Sequence, residues 1–146
     1  MELVLFIGLQ ASGKSSFYRE RLFHTHVRLN LDMLRSRHRE RLLFEACLRA
    51  EQSLVIDNTN PARSDRARYI APAREAGFSV VGYYFRSVAS ECLARNALRQ
   101  GKQRIPDPGV LGTAKRLELP HPDEGFDALH YVQLTDDGFS VSEWEP

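Results

Sequence analysis

The segment from Gly8 to Ser15 has the residue types and spacing of a loop that binds phosphate groups. It reads GLQASGKS and fits the pattern G-x-x-x-x-G-K-[ST]. Glycines let the backbone curl so that several N–H groups point into one cavity, and a following helix adds positive potential. Lys14 can reach the β- and γ-phosphates of a nucleotide, and Ser15 can offer its hydroxyl to Mg²⁺. The predicted nucleotide-binding residues of this loop are Gly8, Ala11, Ser12, Gly13, Lys14, Ser15 and Ser16.

Asp57 comes directly after a short apolar run over 54–56, which we predict to be a strand. A carboxylate at the end of a strand beside a phosphate-binding loop can hold the magnesium shell. The alternative is an aspartate that only caps a turn. Thr59 follows at the same edge of the sheet, where ligands bind in α/β folds. We therefore predict Ser15 and Asp57 as metal-binding residues, and Asp57 and Thr59 as residues that face the acceptor.

Asp32 follows a second predicted strand, over 27–31, and Arg35 comes three residues later. A helix that started there would bring both side chains to one face. Asp32 would then supply the base that a phosphoryl-accepting hydroxyl needs, and Arg35 would hold an anionic part of the acceptor. An equally acceptable interpretation is a capping aspartate paired with a nearby arginine.

Four cations lie close together in the chain between residues 95 and 104. Arg95 and Arg99 are one helical turn apart, and Lys102 and Arg104 follow in a loop bounded by Gly and Pro. Such a segment can close over phosphates and neutralise the charge that develops during transfer. We predict a lid over 95–108; the alternative is a solvated basic face.

The elements that must position these residues alternate between strand and helix, which predicts a mostly parallel sheet covered by helices. The predicted strands are 3–7, 27–31, 54–56, 78–85 and 128–134, with a short sixth at 139–141. The predicted helices are 15–23, one through 43–50, one capped by Asn60 and running to Gly77 with a kink or break at Pro72, and 87–100. A last helix is predicted to begin at Asp107, with Leu111, Ala114 and Leu117 facing inward.

Length and composition are those of one soluble domain over residues 1–146. The net charge is +1, so binding of nucleic acid would need a local basic patch. No apolar run approaches the ~20 residues of a membrane span. Cys47 and Cys92 lack the spacing of a metal site, and a reduced, cytoplasmic setting without disulfides is expected. Nothing completes a metal site around His24 and His26, which are expected at the surface.

Taken together, five segments resemble the kinase domain of the polynucleotide 5′-hydroxyl kinase family over most of the chain. They are GLQASGKSS, LNLDMLR, VIDNTNP, RNALRQG and EGFD. The combination of D-x-x-R after the second strand and D-x-T-N after the third is far more specific than the phosphate loop. The resemblance implies a three-layer P-loop NTPase fold, an α/β fold with a five-stranded sheet in the order 2-3-1-4-5 and helices on both faces.

The resemblance also implies roles for individual residues. Asp32 falls on the family's general base, Arg35 on the arginine that binds the acceptor's neighbouring phosphate, and Asp57 on the aspartate of D-T-N. Arg99 is the best match for the lid arginine that reaches the donor phosphates, with Arg95 as its neighbour. The expected catalytic residues are Lys14, Asp32 and Arg99, the donor is ATP, and the metal is Mg²⁺.

Three functions remain open at this level. The first is an ATP-dependent kinase that phosphorylates the 5′-hydroxyl of DNA or RNA. The second is a kinase of the same fold acting on a sugar, nucleoside or antibiotic, which the short span of 24 residues between Asp32 and Asp57 favours because it leaves the acceptor side open. The third is a nucleotide-binding module without catalysis, although the D-x-x-G and N-K-x-D motifs of GTPase switches are absent.

Overall fold

The computed structural model describes all 146 residues, which form a sheet of six strands covered by helices. The strands are β1 Glu2–Ile7, β2 Val27–Leu29, β3 Leu54–Ile56, β4 Ser79–Phe85, β5 Ala128–Thr135 and β6 Gly138–Glu143. The α-helices are α1 Lys14–Arg21, α2 Leu31–Leu34, α3 Arg37–Arg49, α4 Arg63–Glu75, α5 Ala89–Ala97 and α6 Asp107–Arg116. Two 3₁₀-helices span Gly101–Gln103 and Pro122–Glu124.

The strands pair in the order β2-β3-β1-β4-β5-β6. The first five are mutually parallel, which confirms the predicted order 2-3-1-4-5. The sheet has six strands rather than five, because β6 pairs antiparallel with β5 along six residue pairs. Gly138, with a φ of 106°, supplies the left-handed residue that closes this hairpin.

The central strand β1 explains why its sequence is apolar without interruption. Leu3, Leu5 and Ile7 point into one hydrophobic cluster, which also contains residues of α3 and α4. Val4 and Phe6 point to the opposite face, where they pack with residues of α1. All five residues have no exposed surface. Helices therefore cover both faces of the sheet, as predicted, and the carboxyl end of β1 opens into the phosphate-binding loop.

The predicted cap at Asn60 is wrong. α4 begins three residues later, at Arg63, and Asp65 accepts a 3.1 Å hydrogen bond from the backbone N–H of Ala62. Asn60 has a left-handed φ of 44°, and its amide donates to the carbonyl of Phe6 at the end of β1. Because Pro61 disfavours helical backbone at the preceding residue, Asn60 fixes a loop to β1 instead of starting a helix.

Two further details of the helices differ from the expectation. α4 is not interrupted at Pro72 but continues to Glu75, although Pro72 has no N–H to donate to the carbonyl four residues earlier. On α6, Leu111 is exposed, whereas Val110 is buried against Leu9 and Cys92. Ala114 and Leu117 pack against the core as predicted, so Leu111 is the one residue of the predicted inward face that is misplaced.

A buried ion pair joins α4 to the segment before β5. Arg66 donates to both carboxylate oxygens of Glu124, at 2.7 and 3.0 Å, and neither side chain is more than 3% exposed. Arg66 also donates to the carbonyls of Asn60 and Pro61, so that it ties α4 to the loop after β3.

Both cysteines, Cys47 and Cys92, are free and buried. None of the six α-helices has the length and apolar character needed to cross a membrane.

Candidate active site

The phosphate-binding loop connects β1 to α1 and presents unpaired backbone donors. The N–H groups of four consecutive residues, 13–16, donate to no acceptor within the chain. A Cβ on Gly8 would lie 2.9 Å from Ser12 Oγ, and one on Gly13 would lie 3.1 Å from the ring of Phe139, so both positions need glycine. Four N–H groups at the start of a helix form a site suited to an anion such as a phosphate.

Lys14 lies under this loop. Its Nζ donates to the carbonyls of Gly8 and Leu9, at 2.9 and 2.7 Å, and only 9% of the residue is exposed. The pKa of Lys14 is lowered to about 8, chiefly by burial and also by the charge of Arg99, against the opposing effects of Asp57, Cys92 and Asp32. The predicted catalytic residues Asp32 and Arg99 are thus near enough to act electrostatically on the Lys14 ammonium.

Ser15 and Asp57 are in direct contact across the edge of the sheet. Ser15 Oγ donates to Asp57 Oδ2 at 2.9 Å, and Asp57 is 2% exposed. Hydroxyl and carboxylate oxygens are the ligand types that Mg²⁺ prefers in phosphoryl-transfer sites. Ser15 and Asp57 therefore fit the magnesium-binding role that was predicted for them.

Arg28, which was not predicted from the sequence, completes this pair. Its Nε donates to Asp57 Oδ2 at 2.8 Å and its Nη2 donates to Ser15 Oγ at 3.0 Å. The signal was an arginine at the centre of the three-residue strand β2, whose neighbour β3 leads directly into Asp57. Arg28 holds the carboxylate and the hydroxyl in one orientation and balances the charge of the buried aspartate.

Asp32 lies on the short helix α2, and Arg35 lies just beyond it. Asn30 anchors the helix, because its side chain accepts from the N–H of Met33 and donates to the carbonyl of Asp57. Both Asp32 and Arg35 are exposed at the surface. Arg35 has a left-handed φ of 70°, so it does not continue the helical face of Asp32, and the expectation of a shared face is wrong. Neither residue forms an ion pair, so the alternative in which they pair with each other is not found.

Thr59 and Asn58 connect the loop after β3 to the phosphate-binding loop and to α2. The carbonyl of Thr59 accepts from the N–H of Gly8 at 3.0 Å, so Thr59 joins this loop to the phosphate-binding loop. Asn58, which was also not predicted, accepts from the N–H of Leu31 and donates to Glu40. Asn58 thereby positions α2, and with it Asp32, relative to Asp57.

The predicted lid residues divide into two groups. Arg95, on α5, reaches the phosphate-binding loop, where its Nη1 lies 3.4 Å from the carbonyl of Ala11. Arg99 follows one turn later, and its nearest acceptor is the carbonyl of Gln103, at 3.4 Å. Lys102 and Arg104 are exposed around the 3₁₀-helix Gly101–Gln103.

Comparison with known proteins matches residues 3–119 to the family model described as an AAA domain. The chain is also 28% identical, over 137 residues and 90% of its length, to the bifunctional polynucleotide phosphatase/kinase of Schizosaccharomyces pombe. The aligned part is 33% of that protein, so the chain spans about a third of the length of the curated relatives it matches. The resemblance found from the motifs is confirmed by this similarity.

Two solved structures share the fold with a TM-score of 0.69. One is Kti12 of Chaetomium thermophilum in complex with ADP-AlF3, with 16% identity over 92% of this chain and 90% of that one. The other is an unliganded sugar kinase from Janibacter sp. HTCC2649, with 19% identity over 90% of this chain and 85% of that one. At these identities the likeness establishes the fold alone.

Proposed function

Because the chain belongs to the AAA-domain family whose model matches residues 3–119, and because Asp57 and Asp32 both act electrostatically on Lys14 of the phosphate-binding loop, we propose that it is an ATP-dependent kinase. The proposed reaction transfers the γ-phosphoryl group of ATP to the 5′-hydroxyl of a polynucleotide. The observation that carries the proposal is that three features lie at one edge of the sheet. They are the free N–H groups of residues 13–16, the Ser15–Asp57 pair and the exposed carboxylate of Asp32. The similarity to the bifunctional polynucleotide phosphatase/kinase of Schizosaccharomyces pombe supports the choice of acceptor.

The donor side of the reaction rests on the loop between β1 and α1. The free N–H groups of residues 13–16 bind the β- and γ-phosphates, and the Lys14 ammonium neutralises them. Mg²⁺ would be held by Ser15 and Asp57 and would supply further neutralisation of the phosphate charge when bound. Arg28 keeps these two side chains in place through its two hydrogen bonds.

The acceptor side rests on Asp32 and Arg35. The hydroxyl oxygen forms a bond to the γ-phosphorus, the bond between that phosphorus and the β–γ bridging oxygen breaks, and the hydroxyl proton passes to the Asp32 carboxylate. Arg35 binds the phosphate next to the reacting hydroxyl, since its guanidinium is exposed and has no carboxylate partner. Its left-handed backbone is uncommon for an arginine, and such conformations concentrate at functional positions.

Arg95 and Arg99 are proposed to stabilise the transferring phosphoryl group from the side of α5. Arg95 already contacts the loop at the carbonyl of Ala11, and Arg99 acts electrostatically on Lys14. In this proposal the segment from Arg99 to Arg104 moves when nucleotide binds, so that its cations lie over the phosphates. This assigns Arg99 as a catalytic residue and 95–108 as the lid.

One observation favours a second candidate, a kinase that acts on a sugar or another small molecule. Asp32 and Arg35 are exposed, and between Asp32 and Asp57 the chain has room only for the rest of α2, for α3 and for β3. Such an open acceptor side does not enclose a strand end. The sugar kinase that shares the fold is consistent with this alternative.

A panel of acceptors separates the two candidates. The protein is incubated with ATP labelled at the γ-phosphate and with a 5′-hydroxyl oligonucleotide, a nucleoside 3′-phosphate, a nucleoside, and simple sugars. We expect label on the first two at a much higher kcat/KM than on the others. Efficient labelling of a neutral sugar, with none on the oligonucleotide, would replace the proposal by the second candidate.

A further inference from the structure

A cleft of about 350 Å³ opens between α3 and α4, outside the phosphate-binding site. Four basic side chains line it: Arg37, His38 and Arg41 from α3, and Arg68 from α4. Its apolar lining is Phe44 and Tyr69, whose rings pack edge to face at 5.5 Å. The volume falls in the range of sites that hold small ligands or parts of larger ones.

The charge of this α3–α4 cleft is unbalanced. Glu40 is the single carboxylate among its lining residues, and it is already bound by Arg37, Tyr69 and Asn58. Burial raises the pKa of Tyr69 to about 12, so its hydroxyl stays protonated and donates to Glu40. Arg41 and Arg68 form no ion pair, and both are exposed.

Three arginines near the start of α3 lie where helix electrostatics disfavours cations. Arg37 and Arg39 occupy the first turn of α3 and Arg41 the second, next to the positive end of the helix dipole. Cations there destabilise a helix unless an anion compensates them. Glu40 is the one acidic residue in the first turn, and it is buried. The rim of the cleft therefore carries a positive potential that an anionic ligand would neutralise.

A direct chain of hydrogen bonds links the cleft to the acceptor side of the active site. Glu40 Oε2 accepts from the amide of Asn58 at 2.9 Å, and Asn58 Oδ1 accepts from the N–H of Leu31 at 3.0 Å. Leu31 is the first residue of α2, which carries Asp32. Arg37, the first residue that lines the cleft, thus follows Arg35 by two residues, and the hydrogen bonds fix the position of the cleft relative to Asp32.

We infer that the α3–α4 cleft binds the phosphodiester backbone of a single-stranded polynucleotide, beyond the nucleotide whose 5′-hydroxyl reacts. This inference rests on the proposed function for the direction in which the strand runs. Arg35 holds the phosphate next to the reacting end, and Arg41 and Arg68 hold phosphates further along. The planar guanidinium suits bidentate contact with phosphate oxygens, and the backbone chemistry is common to DNA and RNA.

The cleft also explains how an open site can select a long acceptor. A short span between α2 and β3 leaves no wall around the acceptor, so affinity must come from contacts along the strand. Phosphate contacts of this kind add affinity without reading the base sequence, and they weaken as salt displaces them. The cleft is therefore expected to distinguish oligonucleotides from mononucleotides rather than one sequence from another.

The test compares binding and turnover in a double variant, Arg41→Ala with Arg68→Ala. Both residues are exposed and have no carboxylate partner, so the fold is expected to persist, which thermal unfolding checks. Fluorescence anisotropy measures binding of labelled 5′-hydroxyl DNA and RNA oligonucleotides of about ten nucleotides. The affinity for both is expected to fall by roughly tenfold to a hundredfold. The slope of log Kd against log salt should fall by about 0.7 for each phosphate that the variant no longer binds.

A charge-matched control is Arg49→Ala with Arg116→Ala, which removes two exposed arginines from other parts of the surface. It should bind as the unmodified protein does. Arg41→Lys with Arg68→Lys keeps the charge and should recover most of the affinity. Turnover of a nucleoside 3′-phosphate should be unchanged in the cleft variant, since that acceptor does not reach beyond Arg35.

The outcomes separate this inference from the proposed function. Oligonucleotide binding that is equal in the cleft variant and the unmodified protein, or equally weakened in the control, overturns the cleft as a binding site. If the cleft variant raises KM for the nucleoside 3′-phosphate as much as for the oligonucleotide, the cleft does not bind the part of the strand beyond the reacting nucleotide. Absence of phosphorylation at any 5′-hydroxyl, with binding still dependent on Arg41 and Arg68, overturns the proposed function and leaves the cleft as a polynucleotide site.

Discussion

Ser15 Oγ donates a 2.9 Å hydrogen bond to Asp57 Oδ2, and both atoms are also hydrogen-bonded to the guanidinium of Arg28. The hydroxyl comes from the start of α1 and the carboxylate from the end of β3, so the contact joins the phosphate-binding loop to the acceptor side. Arg28 makes this arrangement rigid, since it occupies Asp57 Oδ2 and Ser15 Oγ simultaneously.

Replacing Arg28 should weaken the use of metal rather than the binding of nucleotide. In Arg28→Ala the Ser15–Asp57 pair has no common partner, so we expect the Mg²⁺ concentration for half-maximal activity to rise by about tenfold. Affinity for ATP without metal should change little. Arg28→Lys keeps the charge but loses one of the two hydrogen bonds. Its Mg²⁺ concentration for half-maximal activity should lie between those of the unmodified protein and Arg28→Ala. A magnesium titration identical to that of the unmodified protein would contradict this role.

The pKa of Lys14 predicts how nucleotide affinity depends on pH. Burial lowers this pKa to about 8, whereas bound phosphates require the ammonium form. Above pH 8 the free protein must take up a proton to bind ATP, so Kd should rise by up to about tenfold per pH unit. Arginine stays charged throughout this range, so Lys14→Arg should bind more weakly but with a flat pH profile. Calorimetry between pH 7 and pH 9.5 measures the Kd for ATP of both proteins. If Kd depends on pH in the same way in both, Lys14 is excluded as the titrating group.

Arg35 should discriminate between acceptors by their phosphate. In Arg35→Ala we expect KM to rise by roughly tenfold or more for a nucleoside 3′-phosphate, because the variant cannot form the charge-assisted hydrogen bond. KM for acceptors without that phosphate should hardly change. Arg49→Ala, which removes an exposed arginine at the far end of α3, is the matched control. An equal effect of Arg35→Ala on both acceptor types would point to the small-molecule kinase instead.

Two ion pairs between the same segments differ in burial and should differ in their contribution to stability. The Arg66–Glu124 pair is buried, and Glu124→Ala should lower the free energy of unfolding by about 3–5 kcal/mol because it leaves Arg66 unpaired. The Arg63–Asp123 pair has side chains that are 49% and 58% exposed, and Asp123→Ala should cost less than about 1 kcal/mol. Urea unfolding at neutral pH compares the two, and similar decreases would show that burial does not set the difference.

The positions of the strands and of the phosphate-binding loop could be predicted from the sequence because they follow from local patterns, whereas the strand order was implied by the resemblance to the polynucleotide 5′-hydroxyl kinase family. In a chain whose strands and helices alternate, an uninterrupted apolar run such as Leu3–Ile7 predicts a strand that is buried on both faces. The spacing of glycine and lysine likewise identified the loop from Gly8 to Ser15. Their positions relative to one another followed from the rule that parallel strands end at one edge.

The contacts that orient the site could not be predicted, because they join residues far apart in the chain. Arg28 meets Asp57 across 29 positions, and Glu40 meets Asn58 across 18. The helix cap expected at Asn60 failed for the same reason, since its amide is taken by the carbonyl of Phe6 on a neighbouring strand. Arg35 failed to continue a helical face because α2 ends after one turn.

Asp32 is proposed to take the proton of a 5′-hydroxyl during transfer from ATP. The most direct measurement is single-turnover transfer of labelled γ-phosphoryl to a 5′-hydroxyl oligonucleotide by the unmodified protein and by Asp32→Asn. We expect label at the 5′ end, none on the same oligonucleotide when it already bears a 5′-phosphate, and a rate lower by roughly 10²–10⁴ in the variant with ATP affinity unchanged. An undiminished rate in Asp32→Asn, or no label on the 5′-hydroxyl end, would contradict the claim.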